Sequence, residues 1–299
     1  MHINGETGKF GPELTTRYQV GVRVSSQSGP CRGLQGTVAV PLAWPEQQVK
    51  IVAEDISSGA RVSYRQVAPT VKQMIVTVPY LPAGREAHAL VTFELTRRSI
   101  LPPTDVAGLS IPRTTPRAFL PYIGSSKGIE VRHAKIRSMA KQVVKDKETA
   151  WEKVEAIYDW VRENVEYKNG PFKGAAAAMR DGYGDCEELS SLFIAMCRVN
   201  KIPARTVWVP GHCYPEFYLV DAEGEGHWFP CQAAGGRAFG GIPEHRPILQ
   251  KGDNFRVPER PRETLRYVAE YLTGKGGKPR VKFVRETLGT GAENNGLIN

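Results

Sequence analysis

The chain has 299 residues, a length that is typical of about two domains. Hydrophobic residues make up 41% of it and charged residues 24%, a balance that excludes disordered, collagen-like and low-complexity proteins. No apolar run is long enough to span a bilayer, and residues 1–6 lack the basic and apolar regions of a signal peptide. We therefore predict no transmembrane segment and, unless a leader has been removed, a cytoplasmic protein.

The formal net charge is +9, and residues 251–285 carry much of the excess of Lys and Arg. Such a segment suits contact with an anionic surface such as cell-wall polymer or lipid head groups, although a solvated basic face is the simpler interpretation. We expect no specific nucleic-acid partner, because the sequence has no zinc-finger spacing and no aromatic RNA-binding motif.

Strand patterns fill the first hundred residues. Apolar side chains alternate with others over residues 18–24, and similar runs follow at short intervals, separated by turns that contain Gly or Pro. This spacing predicts an all-β, sandwich-like domain of about six or seven strands over residues 1–100. Prolines are frequent in the next stretch, so residues 101–128 are predicted to be a linker rather than a helix or a central strand.

Helical periodicity begins after the linker. Apolar residues recur every three or four positions near residues 136–143 and again near residues 154–165. Thr149 and Glu152 form a capping-box pattern at the start of the second of these helices. A third helix is predicted to begin near Cys186.

Strand-like runs return after the third helix, over residues 206–232. Helices followed by strands in this order predict an α+β domain, to which we assign residues 129–273. The remaining residues, 274–299, are rich in Gly and Lys, and we expect a basic, loosely ordered tail with one short strand near residues 281–284.

Cys186 is the first candidate for chemistry. The chain has five cysteines, an odd number, so at least one thiol is free or pairs with another chain. Asp185 is a good N-cap with Glu188 three residues later, which places Cys186 in the first helical turn. There the helix dipole favours a thiolate, and backbone N–H groups can hold an oxyanion. The acidic Asp185, Glu187 and Glu188 oppose the thiolate, so a nearby cation is required, and a buried structural cysteine is the alternative.

His212 is the candidate for that cation. A thiol nucleophile needs a base that later gives its proton to the leaving group, and a third group that orients the base. His212 opens a strand-like run after the Cys186 helix, and the next run ends at Gln232. If these two strands pair as a hairpin through residues 221–226, the end of the second strand lies beside His212.

This stretch resembles the transglutaminase-like superfamily, which has the papain-like core of cysteine enzymes. The matching residues are Gly184-Asp185-Cys186, residues 200–205, His212 with Glu216 and Tyr218, Trp228-x-Pro230, and the helix over residues 151–167. The resemblance covers about residues 131–232, and it implies that Cys186 is the nucleophile and His212 the general base and acid. It also implies acyl transfer from an amide through a thioester, with water or an amine as acceptor.

Gln232 is a departure from the pattern of the family, which usually has Asp at the end of the third strand. A neutral amide orients an imidazole but does not stabilise the imidazolium by charge. We nevertheless predict Gln232 as the third catalytic residue, with Asp221 or Glu216 as candidates to supply the missing charge. Tyr183, Trp208 and Tyr214 are predicted to line the substrate groove, although core packing is the simpler role of the last two.

Two other chemistries have weaker support. His212, Cys213, His227 and Cys231 are ligand types that zinc accepts, but their spacing matches no standard finger, and neighbours on a strand point to opposite faces. Residues 124–128 fit the G-x-S-x-G pattern of serine hydrolases, but proline-rich sequence replaces the strand that should precede it. We therefore predict no metal site, no cofactor and no serine nucleophile.

The sequence thus predicts a cysteine enzyme with a protein or peptide substrate. Bacterial-type members of the family mostly resemble hydrolases, which favours a peptidase or amidase over an amine cross-linking enzyme. The alternative is a catalytically inactive binding or scaffold module, which Gln232 and the acidic residues around Cys186 would suit.

Overall fold

The computed structural model describes residues 10–290, and its architecture is α+β, as the sequence predicted. The strands are β1 (Phe10–Ser26), β2 (Cys31–Val40), β3 (Gln47–Ile56), β4 (Arg61–Ala68), β5 (Val71–Leu81), β6 (Glu86–Ile100), β7 (Glu166–Tyr167), β8 (Tyr183–Gly184), β9 (Ala204–Val209), β10 (His212–Val220), β11 (Gly226–Pro230), β12 (Gln250–Lys251), β13 (Tyr271–Gly276) and β14 (Pro279–Thr290). The helices are α1 (Ala134–Val143), α2 (Ala150–Asn164), α3 (Ala175–Asp181) and α4 (Cys186–Val199), with a 3-10 helix at Arg117–Tyr122. Over the described residues, helices that could cross a membrane are absent.

Two antiparallel sheets form the predicted sandwich, with strand orders β14-β1-β6-β3 and β13-β2-β5-β4. The alternation seen over residues 18–24 places Tyr18, Val20, Val22 and Val24 in the core between the sheets, where each is at most 2% exposed. Because successive side chains of a strand point to opposite faces, the pattern read from the sequence fixes which face of β1 is buried.

The C-terminal strands differ from the loosely ordered tail that the sequence suggested. β14 pairs with β1 in antiparallel register from Thr16↔Thr290 to Ser26↔Pro279, and β13 pairs with β2. Val281 and Phe283 pack against the sandwich core, which explains why the segment is ordered as a strand longer than the one expected near residues 281–284. Residues 291–299 of the predicted tail lie outside the described residues.

The α+β core, which contains the four helices, is built around α4, whose residues from Glu188 to Arg198 are all buried. α1, α2 and α3 pack against it, and an antiparallel sheet of order β11-β10-β9-β12 covers it on the side of β10. The predicted capping boxes are present at Thr149 and at Asp185, so both helices begin where the sequence indicated. The predicted linker runs over this core, with the ring of Phe119 4.6 Å from that of Tyr218.

A buried network of charges joins the sandwich to the core. The Lys251 Nζ donates to Glu46 at 2.8 Å and to Glu216 at 3.1 Å, and Arg97 lies 3.6 Å from Glu46. Burial alone would raise the pKa of Glu46, but the charges of Lys251 and Arg97 outweigh it and lower that pKa from 4.5 to about 2. Since every member has a charged partner, the network fixes how the two parts meet.

Candidate active site

The start of α4 holds Cys186 between residues whose side chains cap the helix. The Asp185 carboxylate accepts hydrogen bonds from the backbone N–H groups of Glu187 at 2.8 Å and Glu188 at 3.4 Å. Glu188 in turn accepts from the N–H of Asp185 at 3.0 Å. A Cβ on Gly184 would lie 2.5 Å from that of Glu188, so the tight approach before Cys186 requires glycine.

The acidic residues around Cys186 are engaged with partners, which weakens the objection that they raise against a thiolate. Asp185 and Glu188 bind backbone N–H groups, and Glu187 forms an ion pair with Arg266. A carboxylate held by hydrogen bonds and a cation exerts less repulsion on a neighbouring thiolate than a free one.

The structure brings the three predicted catalytic residues together. His212 opens β10, and β10 pairs with β11 as the predicted hairpin, after which the chain reaches Gln232. The Nε2 of His212 lies 3.1 Å from the Oε1 of Gln232, and the Cys186 thiol is within hydrogen-bonding reach of the same ring.

The backbone of Gln232 is held by α2. Its carbonyl accepts from the Tyr158 hydroxyl at 2.9 Å and from Arg162 at 3.0 Å, and its N–H donates to Ala238 at 2.8 Å. Tyr158 and Arg162 of α2 thus hold Gln232, the residue that orients His212. The sequence pattern of α2 predicts only a role in the core. No feature of the sequence pointed to Arg162, because an arginine on the exposed part of a helix is usually solvated.

The thiol environment favours the charged form of the site. Hydrogen bonding from Cys213 is the largest influence on the Cys186 thiol and, with that from His212, it outweighs burial and lowers the pKa from 9.0 to about 5. Burial tends to lower the pKa of His212, but hydrogen bonds to Cys186 and Gln232 outweigh it, so that pKa is raised. A lowered thiol pKa beside a raised imidazole pKa favours a thiolate–imidazolium pair near neutral pH.

Cys213 is the residue that the sequence argument missed. Strand alternation predicts that Cys213 points away from His212, yet both residues influence the Cys186 thiol. Proximity to Cys186 and burial raise the pKa of Cys213 well above its ordinary value, so it remains a protonated thiol beside the Cys186 thiolate, with its Sγ 3.9 Å from the Ser190 hydroxyl.

The remaining predicted residues divide between the pocket and other places. A cavity of 460 Å³ opens at Cys186 and His212, and Trp208 lines it. Tyr214 does not line this cavity, since it is buried at the junction with the sandwich, where its hydroxyl accepts from Arg97 at 2.9 Å. Tyr183 also lies outside the cavity, with the Lys173 Nζ 3.5 Å from its ring centroid.

The residues of the alternative chemistries are engaged elsewhere. Asp221 pairs with His227 at 2.6 Å, and Glu216 pairs with Lys251, so neither supplies a charge to His212. Within residues 10–290, no three His, Cys, Asp or Glu side chains are grouped as metal ligands. Ser126, from the G-x-S-x-G pattern, donates to Asp253 at 2.6 Å in a contact that also holds Arg198.

Known proteins resemble the chain in sequence over part of its length and in fold over most of it. Residues 137–233 match a family model described as "Transglutaminase-like superfamily". A solved structure described as "a Putative Cysteine Protease from Cytophaga hutchinsonii" has the same fold, with a TM-score of 0.59 and 16% identity over 94% of this chain and 93% of that one. A second, "a Putative Protease from Parabacteroides distasonis", has a TM-score of 0.30 and 15% identity over 74% of this chain and 43% of that one. A search of curated proteins found no match. Residues 137–233 therefore carry a transglutaminase-like core, which confirms the resemblance that the sequence predicted.

Proposed function

We propose that the protein is a cysteine enzyme that cleaves an amide or peptide bond through a thioester on Cys186, with water as the acceptor. The observation that carries the proposal is the contact of Cys186 and Gln232 with the same His212 ring, together with the lowered pKa of the thiol. The fold shared with a protein described as "a Putative Cysteine Protease" supports it. We assign the chemistry to the α+β domain predicted for residues 129–273.

In the first half-reaction, the Cys186 thiolate attacks the carbonyl carbon, and the negative charge moves to the carbonyl oxygen. The Asp185 cap occupies the N–H groups of Glu187 and Glu188, which leaves the N–H of Cys186 itself as the donor for that oxyanion. The tetrahedral intermediate collapses as His212 gives its proton to the departing nitrogen. The products are a free amine and a thioester.

In the second half-reaction, neutral His212 takes a proton from water, and the hydroxide attacks the thioester carbonyl. Breakdown of the second intermediate releases a carboxylic acid and the Cys186 thiolate, and His212 retains the proton as imidazolium. Gln232 keeps the ring oriented through both steps, because its Oε1 accepts from Nε2–H whether or not Nδ1 is protonated.

To test the proposal, the protein is incubated with the fluorescent amine monodansylcadaverine and a mixture of peptides from a protein digest. The amines of these peptides are blocked beforehand. Mass spectrometry then distinguishes new peptide termini, which report hydrolysis, from fluorescent adducts at glutamine, which report amine transfer. We expect new termini with the native protein and none with Cys186→Ala or His212→Ala.

Cys31→Ala is the matched control, because it removes a thiol that is buried in the sandwich, away from the site. Circular dichroism establishes that each variant is folded. Adducts without new termini would show that the acceptor is an amine. If neither product formed while all variants were folded, the acyl-transfer proposal would be wrong, and the inactive binding module would be the better description.

A further inference from the structure

The cavity at Cys186 is lined by residues of both the α+β core and the sandwich. Cys186 and His212 form one wall, and the other is formed by Tyr18 of β1, Arg285 of β14 and Tyr267, which precedes β13. An acyl group bound to Cys186 must therefore lie against residues that belong to neither α4 nor its sheet. A cavity of 460 Å³ would be about 10 Å across if spherical, or roughly three extended residues.

Two arginines line the cavity, and each is held in an ion pair with a carboxylate. Arg285 pairs with Glu270 at 2.6 Å, and Arg266 pairs with Glu187. In each pair the acid is the more covered partner: the side chain of Arg285 is 43% exposed and that of Glu270 14%, whereas Arg266 is 31% exposed and Glu187 16%. A guanidinium has five N–H donors, so one carboxylate partner leaves others free for a ligand.

The acidic groups that line the cavity are Asp185 and Glu187, and each already has a partner. The Asp185 carboxylate is held by the N–H groups that it caps, and the Glu187 carboxylate by Arg266. Tyr267 lies within hydrogen-bonding reach of Arg285, and burial raises the pKa of its hydroxyl, which keeps it a neutral donor at physiological pH.

An edge-to-face aromatic pair lies beside the cations. The rings of Trp208 and Tyr267 meet at 5.1 Å and 62°, and the indole N–H of Trp208 donates to the Gly252 carbonyl at 2.8 Å. Because that hydrogen bond and the ring contact fix the indole, the pocket presents a preformed apolar wall next to two guanidinium groups. Guanidinium groups beside an apolar wall favour ligands that carry a negative charge.

We propose that this cavity is a carboxylate-binding subsite, and that the enzyme selects peptides with an acidic side chain or a terminal carboxylate within about three residues of the scissile bond. Arg285 is the principal specificity residue, with Arg266 beside it. The proposal rests on the function proposed above, because it assigns the substrate class of that same site.

The test uses two alkylating reagents that bind without turnover, N-chloroacetyl-glutamate α-amide and its glutamine counterpart, which differ only in one carboxylate. We expect the glutamate reagent to modify Cys186 of the full chain faster by about tenfold to a hundredfold, the range expected of a hydrogen bond to a charged group. The ratio should fall toward one in Arg285→Gln and survive in Arg285→Lys, which keeps the charge. Lys282→Gln is the matched control, since it removes a cation from the same strand outside the cavity.

Equal rates for the two reagents on the native protein would overturn the subsite, whatever the peptide-cleavage experiment gave. If the ratio of the two alkylation rates persisted in Arg285→Gln, Arg285 would not belong to the carboxylate-binding subsite. The glutamine reagent reports on the reactivity of Cys186 itself, so a variant that merely disturbed the fold would slow both reagents and leave their ratio unchanged. Peptide cleavage without acidic preference would leave the proposed function intact and refute the substrate class.

Discussion

The ionisation of Cys186 can be tested by following its alkylation across the acidic pH range. With a pKa of about 5, about half of this thiol is ionised at pH 5, whereas about 0.03% of a free cysteine with pKa 8.5 is. The ionised fraction rises with pH, so the alkylation rate of Cys186 should reach its plateau near pH 6. A free cysteine is still gaining reactivity at pH 8.

The ratio of the alkylation rate of Cys186 to that of free cysteine depends on two opposing effects. A less basic thiolate is a weaker nucleophile, and with a Brønsted slope of 0.4–0.5 each Cys186 thiolate should react about 40-fold more slowly than that of free cysteine. The larger ionised fraction outweighs this loss only in acid. The net advantage is about 40-fold at pH 5, about sevenfold at pH 6 and absent at pH 7. Rates compared only at neutral pH would therefore hide an activated thiol.

Short pulses of iodoacetamide between pH 4 and pH 9, with the modified cysteines identified by mass spectrometry, measure this profile. The other four cysteines are buried and serve as internal controls in the same chain. His212→Ala and Cys213→Ala should each move the midpoint for Cys186 upward, because each removes a hydrogen bond to the thiolate. A midpoint between pH 8 and pH 9 in the native protein would refute the reasoning from the geometry of the site.

Three further predictions concern Gln232, Glu46 and Asp253. Gln232→Ala should lower kcat by up to about 100-fold, because the His212 ring loses the contact that orients it. Gln232→Asp should raise the pKa of His212 and shift the alkaline limb of the pH–rate profile to higher pH. An unshifted limb would contradict the assigned contact between residue 232 and His212. The pKa of Glu46 is about 2 in the folded protein, below its ordinary 4.5, so its stabilisation is complete above pH 4.5 and lost as pH falls toward 2. Glu46→Gln should remove this part of the pH dependence of the unfolding free energy measured in urea. If the free energy of unfolding changed with pH as steeply in the variant as in the native protein, this role of Glu46 would be contradicted. Asp253→Ala leaves the fully buried Arg198 without its 2.7 Å partner and should cost about 3–5 kcal/mol, visible as a lower denaturation midpoint, whereas a loss below 1 kcal/mol would show that backbone carbonyls suffice.

Local patterns in the sequence predicted the parts of the fold that depend on neighbouring residues. The alternation over residues 18–24 and the capping residues Thr149 and Asp185 act within one strand or one helical turn, so they can be read without knowing the partners. The order of β14 could not be read in this way, because its partner β1 lies at the other end of the described chain.

The candidate site also combines residues that local patterns predicted with contacts that they did not. Cys186 and His212 follow from helix capping and from the family resemblance, but the thiol contact with Cys213 depends on the exact depth at which α4 meets β10. The burial of Tyr214 depends on Arg97, which arrives from the sandwich. Contacts between distant segments are set by packing rather than by local periodicity, so no local pattern indicates them.

The pairing of β14 with β1 also governs the order in which the protein can fold during synthesis. β1 is the first described element to be synthesised. On one side Tyr18 pairs with Phe93 of β6, but its neighbour on the other side, Thr287 of β14, is synthesised only after every helix of the core. Pairing between segments so far apart in sequence is slow, and an unpaired strand edge is prone to associate with other chains. Nascent and truncated chains therefore expose the edge of β1 throughout synthesis, and the wall that carries Arg285 is the last part of the pocket to form.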